Sequence, residues 1–190
     1  LLTNQNGERR ISKIGPSWVY NSVDNPIFPT TGRRYSLNFD LAGLGGNSNF
    51  YQTKAEGVWY KKLNNRTSFG LRSAIEYISP YGSTQELPIF EKLFLGGEYS
   101  IRGFDIRSVG PRDPTTQLVI GGNKSLLFNG EYTFQIADPV RLIAFYDTGQ
   151  VRDVGQRFEG NEWRSSTGLE VRFFMPVLNV PFRLIFARNI

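Results

Sequence analysis

The feature that most limits the fold of this chain is an alternation of apolar and polar residues with a period of two. In residues 33–43, Tyr35, Leu37 and Phe39 alternate with polar side chains. The same pattern recurs in residues 67–78, 125–136 and 165–175. Successive residues of a β-strand point to opposite faces, so this pattern predicts strands with one apolar face rather than helices.

Four further segments alternate less regularly, which brings the predicted number of strands to eight. These segments are residues 11–23, 50–63, 140–149 and 182–189. The connections alternate in length: residues 64–66, 137–139 and 177–181 are short, 24–32 is somewhat longer, and 43–49, about 82–123 and 150–164 are long. Short turns at one end and longer loops at the other are typical of an antiparallel up-and-down β-barrel.

Alternation alone does not tell which face meets water. A soluble ligand-binding barrel places the apolar face inside, whereas a transmembrane barrel turns it toward lipid. The strands are long enough to cross a bilayer, and the polar face carries charges of both signs that an enclosed lumen would pair. These charges are Asp40, Lys54, Glu56, Arg72, Glu76, Glu131, Asp147, Glu170 and Arg172.

Aromatic residues near the strand ends also favour the membrane alternative, because bilayer interfaces hold such side chains. They are Trp18, Tyr20, Tyr35, Trp59, Tyr60, Tyr77, Phe173 and Phe174. The sequence therefore predicts an all-β, antiparallel transmembrane barrel.

The composition excludes several kinds of chemistry. The chain contains no cysteine and no histidine, which removes disulfides, thiolate or imidazole catalysis, and the commonest zinc sites. We predict no catalytic residue, no metal site and no cofactor. The net charge of +5 is spread along the chain rather than gathered in one patch, so we expect no nucleic-acid partner.

Four segments, in order and spacing, resemble the barrel of the BamA-like outer-membrane assembly factors, the bacterial surface antigen family. They are residues 21–32, 93–104, 121–132 and 145–149. The most specific is Ile101-Arg102-Gly103-Phe104, which matches the family signature [VI]-R-G-[FY].

The resemblance implies that the long loop folds back into the barrel lumen. It also implies that Arg102 meets two acids on the inner wall, Glu131 and Asp147, which the alternation independently assigns to the polar face. An enclosed guanidinium needs such partners, because an isolated buried charge is costly. We expect Gly103 to allow a sharp bend and Phe104 to wedge the loop tip against the wall.

The resemblance also bears on the extent of the domain. It implies that residues 1–190 are a single C-terminal barrel domain whose N-terminal half and last strand are missing, so that eight of sixteen strands are present. The alternative is that the eight strands close on themselves.

The function that the resemblance implies is non-enzymatic insertion or export of proteins at the outer membrane of a Gram-negative bacterium, or of an organelle of such descent. The implied partners are the lipid bilayer, unfolded outer-membrane proteins, accessory lipoproteins and POTRA domains of the same polypeptide. Two alternatives stay open: the membrane anchor of a patatin-like phospholipase, and a soluble ligand-binding barrel.

Overall fold

The computed structural model of the protein describes residues 10–175 and 180–190, which form one antiparallel sheet of nine strands. The strands are β1 (Lys13–Ile14), β2 (Ser17–Asn21), β3 (Gly32–Ala42), β4 (Phe50–Lys62), β5 (Thr67–Pro80), β6 (Lys124–Ala137), β7 (Val140–Arg152), β8 (Arg164–Met175) and β9 (Val180–Asn189). From β3 onward, each strand pairs with the next one in the chain. The predicted all-β, antiparallel fold is confirmed.

The predicted first strand, residues 11–23, is interrupted and forms both β1 and β2. Its register against β3 is continuous, because Ile14 pairs with Leu41 and Ser17 pairs with Asn38. The ladder is interrupted at Pro16, which has no N–H to donate. Eight predicted strands therefore appear as nine elements.

The two faces of the sheet differ in the sense expected of a membrane barrel. Apolar side chains lie on the outer, convex face, where Leu71 is 45% exposed and Leu169 is 50% exposed. Charged side chains lie on the inner, concave face, where Asp147 and Glu170 are fully buried. This arrangement is the reverse of a soluble barrel, in which the interior is apolar.

Two of the aromatic residues predicted at the interface, Tyr60 and Phe174, lie on the inner face of their strands. Tyr60 faces the lumen, where it lines a cavity together with Arg102 and Glu131. Its ring lies against Gly70, the residue paired with it on β5, at the position that a side chain would otherwise occupy. Tyr60 fits there because its neighbour has no side chain.

The sheet is open within the described residues. Its edges are β1 with β2 at one side and β9 at the other, and no pairing in this part of the chain joins them. The closed eight-stranded alternative is therefore not observed. Among the described residues, no helix has the length and apolarity needed to cross a membrane.

The long loop between β5 and β6 is folded rather than irregular. Isolated bridges join Leu93 to Gly122, Leu95 to Val109 and Arg112 to Val119. Its apolar residues pack with inward side chains of the wall in one core. This core comprises Ala42, Phe50, Ile78, Leu87, Leu93, Leu95, Ile101, Val109, Leu127 and Val151.

The turn between β2 and β3 is stabilised by a single carboxylate. Asp24 accepts hydrogen bonds from the backbone N–H groups of Asn25, Thr30 and Thr31 and from the hydroxyl of Thr30. Although partial desolvation opposes the effect, these hydrogen bonds lower the pKa of Asp24 to about 2. In the same turn, Phe28 lies 4.7 Å from the Arg141 guanidinium, measured to the ring centre.

The orientation of the faces predicts the effect of an outward charge. In the full-length protein, Leu71→Arg should destabilise the membrane-inserted barrel by about 1–2 kcal/mol, because a cation between the bilayer midplane and the interface loses part of its hydration. Urea unfolding in lipid vesicles would measure the change, with Leu71→Met as the matched control. Equal stability of both variants would contradict a lipid-facing Leu71.

Candidate functional site

The tip of the long loop is a compact backbone turn. The N–H of Gly97 donates to the carbonyl of Phe104 over 2.8 Å, and the N–H of Gly96 donates to the hydroxyl of Ser100 over 2.8 Å. Gly103 has φ +85°, a conformation that glycine adopts without strain. These contacts fix the backbone on both sides of Arg102.

Arg102 is the central residue of the site, and its side chain is only 3% exposed. Its Nε and Nη2 donate to the two carboxylate oxygens of Asp147, each over 2.7 Å, and its backbone N–H donates to the same group over 3.0 Å. Its Nη1 donates to Glu131 over 2.7 Å and to Glu170 over 2.8 Å. Three carboxylates therefore surround one guanidinium.

An aromatic ring completes the enclosure of Arg102. The guanidinium carbon lies 3.8 Å from the centre of the Phe145 ring, a distance at which the cation is attracted by the ring face. Phe145 is itself buried. Gly168, its partner on β8, leaves space for the ring, since a Cβ there would lie 2.9 Å from it.

Strand register brings the three acids together. Glu131 lies on β6, Asp147 on β7 and Glu170 on β8, all on the inner face. On β6, Asn129 pairs with Asp147 across the ladder, and its side-chain amide donates to this carboxylate over 2.8 Å. The same amide donates to the carbonyl of Ser100 over 2.7 Å, which links the wall to the loop backbone.

Two further arginines bind the acids of the site. Arg172 on β8 donates to Glu170 over 2.7 Å and lies 3.5 Å from Glu131. Arg183 on β9 donates to both oxygens of Glu170, over 2.7 and 2.8 Å. The three acids thus face three guanidinium groups, so the cluster balances its charge within the lumen.

The loop tip also touches β9 directly. A Cβ built on Gly103 would lie 2.8 Å from both the Cβ of Ala187 and the side-chain oxygen of Asn189. Arg183 additionally donates to the carbonyl of Glu98 over 3.3 Å. The loop is therefore connected to the last strand of the sheet by close packing and by a shared carboxylate, Glu170.

A second group of contacts holds the loop on the other side of a cavity of about 240 Å³. Arg72 on β5 donates to the carbonyl of Tyr99 over 2.8 Å. The same arginine binds Glu56 on β4 through Nε and Nη2, over 3.1 and 2.7 Å. Side-chain hydrogen bonds to the loop thus extend across the inner wall from β5 to β9, and Arg72 links them to Glu56 on β4.

The structure brings together Arg102, Glu131 and Asp147, the residues that the sequence singled out. Ile101 is fully buried in the apolar core of the loop, and Phe104 packs against that core. The functional role of these residues stays a prediction.

Sequence reasoning missed three members of the cluster: Glu170 as an Arg102 ligand, Phe145 and Arg183. Glu170 was on the predicted polar face. Its place in the alternation of β8, on the face opposite to Leu169 and Val171, was the signal that could have identified it. Arg172 pairs with Glu170 and Arg72 pairs with Glu56, as the mixed charges of the predicted polar face indicated. Arg141 pairs instead with Asp138, in the turn before β7, over 3.1 Å.

The acidic side chains around Arg102 are paired with cations and do not form a metal site. Among the residues that the structure describes, no group of histidine, cysteine or acidic side chains is arranged to hold a metal ion. The acids around Arg102 are occupied by guanidinium groups. The chemical capacity of the site is to hold a folded loop inside a barrel.

The comparison with known families agrees with the signature at the loop tip. A family model described as the Omp85 superfamily domain matches residues 2–190. The chain belongs to the Omp85 superfamily.

Curated proteins similar to this Omp85 chain carry related descriptions. It is 29% identical over 163 residues to the outer membrane protein assembly factor BamA of Neisseria meningitidis serogroup B, covering 82% of this chain and 20% of that protein. It is 25% identical over 173 residues to a SAM50-like protein of Drosophila melanogaster, covering 86% of this chain and 38% of that protein. The chain therefore spans less than two fifths of the length of either relative.

A solved structure supports the fold of this Omp85 chain. The crystal structure of BamA from Haemophilus ducreyi lacking POTRA domains 1–3 superposes with a TM-score of 0.81 at 24% identity. The match covers 94% of this chain and 38% of that one. The open sheet thus has the shape of part of a BamA barrel.

The close approach of the loop tip to β9 predicts an effect of a single added methyl group. Gly103→Ala should destabilise the folded full-length protein by about 1–3 kcal/mol more than Gly155→Ala, because overpacking forces neighbouring atoms apart. Gly155 is a matched control, with φ +79° and no atom within 4 Å of a built Cβ. Unfolding in urea would measure both, and equal losses would contradict the contact with Ala187.

The shared carboxylate predicts that the loop and β9 are coupled. Glu170→Gln should destabilise the full-length protein by about 1–3 kcal/mol, since it leaves buried arginines short of charge-assisted hydrogen bonds. It should also speed hydrogen exchange in β9. The control is Glu76→Gln, which removes a lumen charge that binds Gln52 and lies 3.8 Å from Lys54. Unchanged β9 exchange would contradict the coupling.

Proposed function

We propose that this chain is part of the outer-membrane β-barrel of a factor that inserts or exports proteins. Membership of the Omp85 superfamily and the descriptions of its relatives as assembly factors support this function. The observation that carries it is the lock formed by Arg102, Glu131, Asp147 and Glu170, which we call the lumen lock. It lies at the signature position of the long loop.

The location that fits this function is the outer membrane of a Gram-negative bacterium or of an organelle of such descent. The outward apolar face supports insertion into a bilayer, where backbone groups must be paired within the protein. The bacterial BamA relative supports a bacterial outer membrane, and the insect SAM50-like relative supports the membrane of an organelle.

We further propose that residues 1–190 belong to one barrel domain that is larger than this chain. The open sheet supports this, because unpaired strand edges in a membrane need partners. The match to only 38% of the Haemophilus ducreyi chain supports it as well.

In this function, the lumen lock stiffens one wall of the barrel. The loop is bound by side chains from β5, β6, β7, β8 and β9, so these strands keep a fixed curvature. A rigid wall lets a separate seam of the barrel open and pair with the strand of an incoming protein, as sheet edges do when they bind extended chains. The role of the chain is mechanical, and we assign no catalytic residue to it.

The partners of the proposed function are the bilayer and unfolded outer-membrane proteins. Accessory lipoproteins and POTRA domains of the same polypeptide are finer proposals, supported by the family resemblance. The relatives named above are described as assembly factors or SAM50-like proteins, which favours assembly over a phospholipase anchor. The exposed apolar outer face disfavours the soluble ligand-binding barrel.

Removal of the lock cation tests the proposal in the full-length protein. Arg102→Ala leaves three clustered acids with one fewer counter-ion and should destabilise the barrel by about 3–5 kcal/mol. We expect the folded band on unboiled gels to be lost at a lower temperature, and we expect insertion of a reporter outer-membrane protein into vesicles to slow.

Two controls separate stability from function. Arg112→Ala removes an exposed loop arginine and should behave as wild type in both assays. Arg102→Lys keeps the charge but loses the bidentate geometry, so it should be intermediate. Normal insertion by a folded Arg102→Ala protein would overturn the role of the lock. Failure of the wild-type protein to insert any reporter would overturn the proposed assembly function.

A further inference from the structure

Three cations cluster at the end of the sheet where the short turns lie. Arg33 is the second residue of β3, Lys61 is the last but one of β4, and Arg66 lies in the turn between β4 and β5. All three side chains are exposed. We call these residues the basic edge.

The basic edge differs from the lumen in having no counter-ions. Within the described residues, none of its three side chains makes an ion pair or a hydrogen bond. The nearby acids are already occupied, since Asp24 binds within its own turn and Asp138 binds Arg141. By contrast, the lumen cations Arg72, Arg102, Arg172 and Arg183 all have carboxylate partners.

Strand register places Arg33 and Lys61 on the outer face, and Arg66 lies in the turn that follows β4. Arg33 pairs with Trp59, and Lys61 lies two residues beyond Trp59 on the same face of β4. Lys61 in turn pairs with Phe69 on β5. Diagonal neighbours in a sheet are about 7–8 Å apart, so Arg33 and Lys61 can contact one ligand.

The aromatic residues beside the basic edge mark the depth of this region. Tyr35 and Trp59 are partly exposed on the outer face, and Tyr35 stacks with Tyr20 at a ring separation of 6.3 Å. Such rings lie at the boundary between hydrocarbon and headgroups. Arg33 pairs with Trp59 at this boundary, and Lys61 lies two residues beyond Trp59. Their long side chains therefore reach the headgroups of the leaflet that faces the short turns.

We propose that Arg33, Lys61 and Arg66 bind the phosphates of anionic phospholipids in that leaflet. This inference rests on the proposed membrane location of the chain. Guanidinium groups bind phosphate through two hydrogen bonds, and an ammonium group adds a point charge. We expect the site to select for negative charge, because its three cations have no carboxylate partner among the residues that the structure describes.

The preference for anionic lipid can be measured by electron spin resonance. The full-length protein is placed in phosphatidylcholine vesicles with a trace of chain-labelled phosphatidylglycerol or chain-labelled phosphatidylcholine. The motionally restricted fraction gives the relative association of each lipid. We expect phosphatidylglycerol to associate about threefold or more strongly, because basic residues at a membrane surface attract anionic lipid. The triple variant R33Q/K61Q/R66Q should bring the ratio close to one.

A matched variant controls for net charge. R107Q/R112Q/R157Q also removes three positive charges, from exposed loop positions at the opposite end, and should keep the wild-type ratio. Equal association of both lipids with wild type, or an unchanged ratio in the triple variant, would overturn the proposal.

The same experiment separates this inference from the proposed function. A protein that does not enter the vesicles contradicts the membrane location itself. A protein that enters them and inserts reporter proteins, yet has no preference for anionic lipid, contradicts only the basic edge as a lipid site.

Discussion

An arginine enclosed in a barrel lumen has to find its counter-charges there, because its guanidinium stays protonated in any protein environment. Arg102 finds them on three neighbouring strands and forms five hydrogen bonds to carboxylates. Much of the inner wall depends on this requirement. Glu131, Asp147 and Glu170 occupy the positions within reach of the loop tip, and Arg172 and Arg183 offset the charge that remains.

The two faces of the sheet stabilise the chain by different interactions. The outer face contributes apolar area to the bilayer and has no means of choosing a loop conformation. The inner face selects one loop conformation, since each hydrogen bond of Arg102 has a defined partner and angle. Glu170 binds both Arg102 and Arg183, so the loop tip and β9 share a counter-ion in addition to their direct packing.

The fold was predictable to a large extent because strand geometry imposes the period-two pattern directly on the sequence. Seven of the strand segments, beginning with residues 33–43, were located within a few residues. The sequence pattern did not predict the break at Pro16, because a missing N–H leaves the alternation of side chains intact. Tyr60 was assigned to the interface because it lies near a strand end, although it faces the opposite way from its neighbour Trp59.

The site was predictable only in part, because its contacts join residues that lie far apart in the sequence. Family resemblance joined Arg102 with Glu131 and Asp147, and parity placed both acids inside. Parity does not give the height of a residue along the wall, so Glu170 could not be chosen from among the other inward charges. Phe145 and Gly168 form a pair that only the register of β7 against β8 reveals.

The separation of the lock residues along the chain has a consequence for folding. Arg102 precedes its partners by 29, 45 and 68 residues, and they belong to three successive strands. The loop tip therefore cannot reach its final environment until β6, β7 and β8 have all taken their places. A wall assembled with one strand absent or out of register leaves the arginine incompletely neutralised. The ion pairs of the loop tip are therefore complete only when all three strands are paired in register.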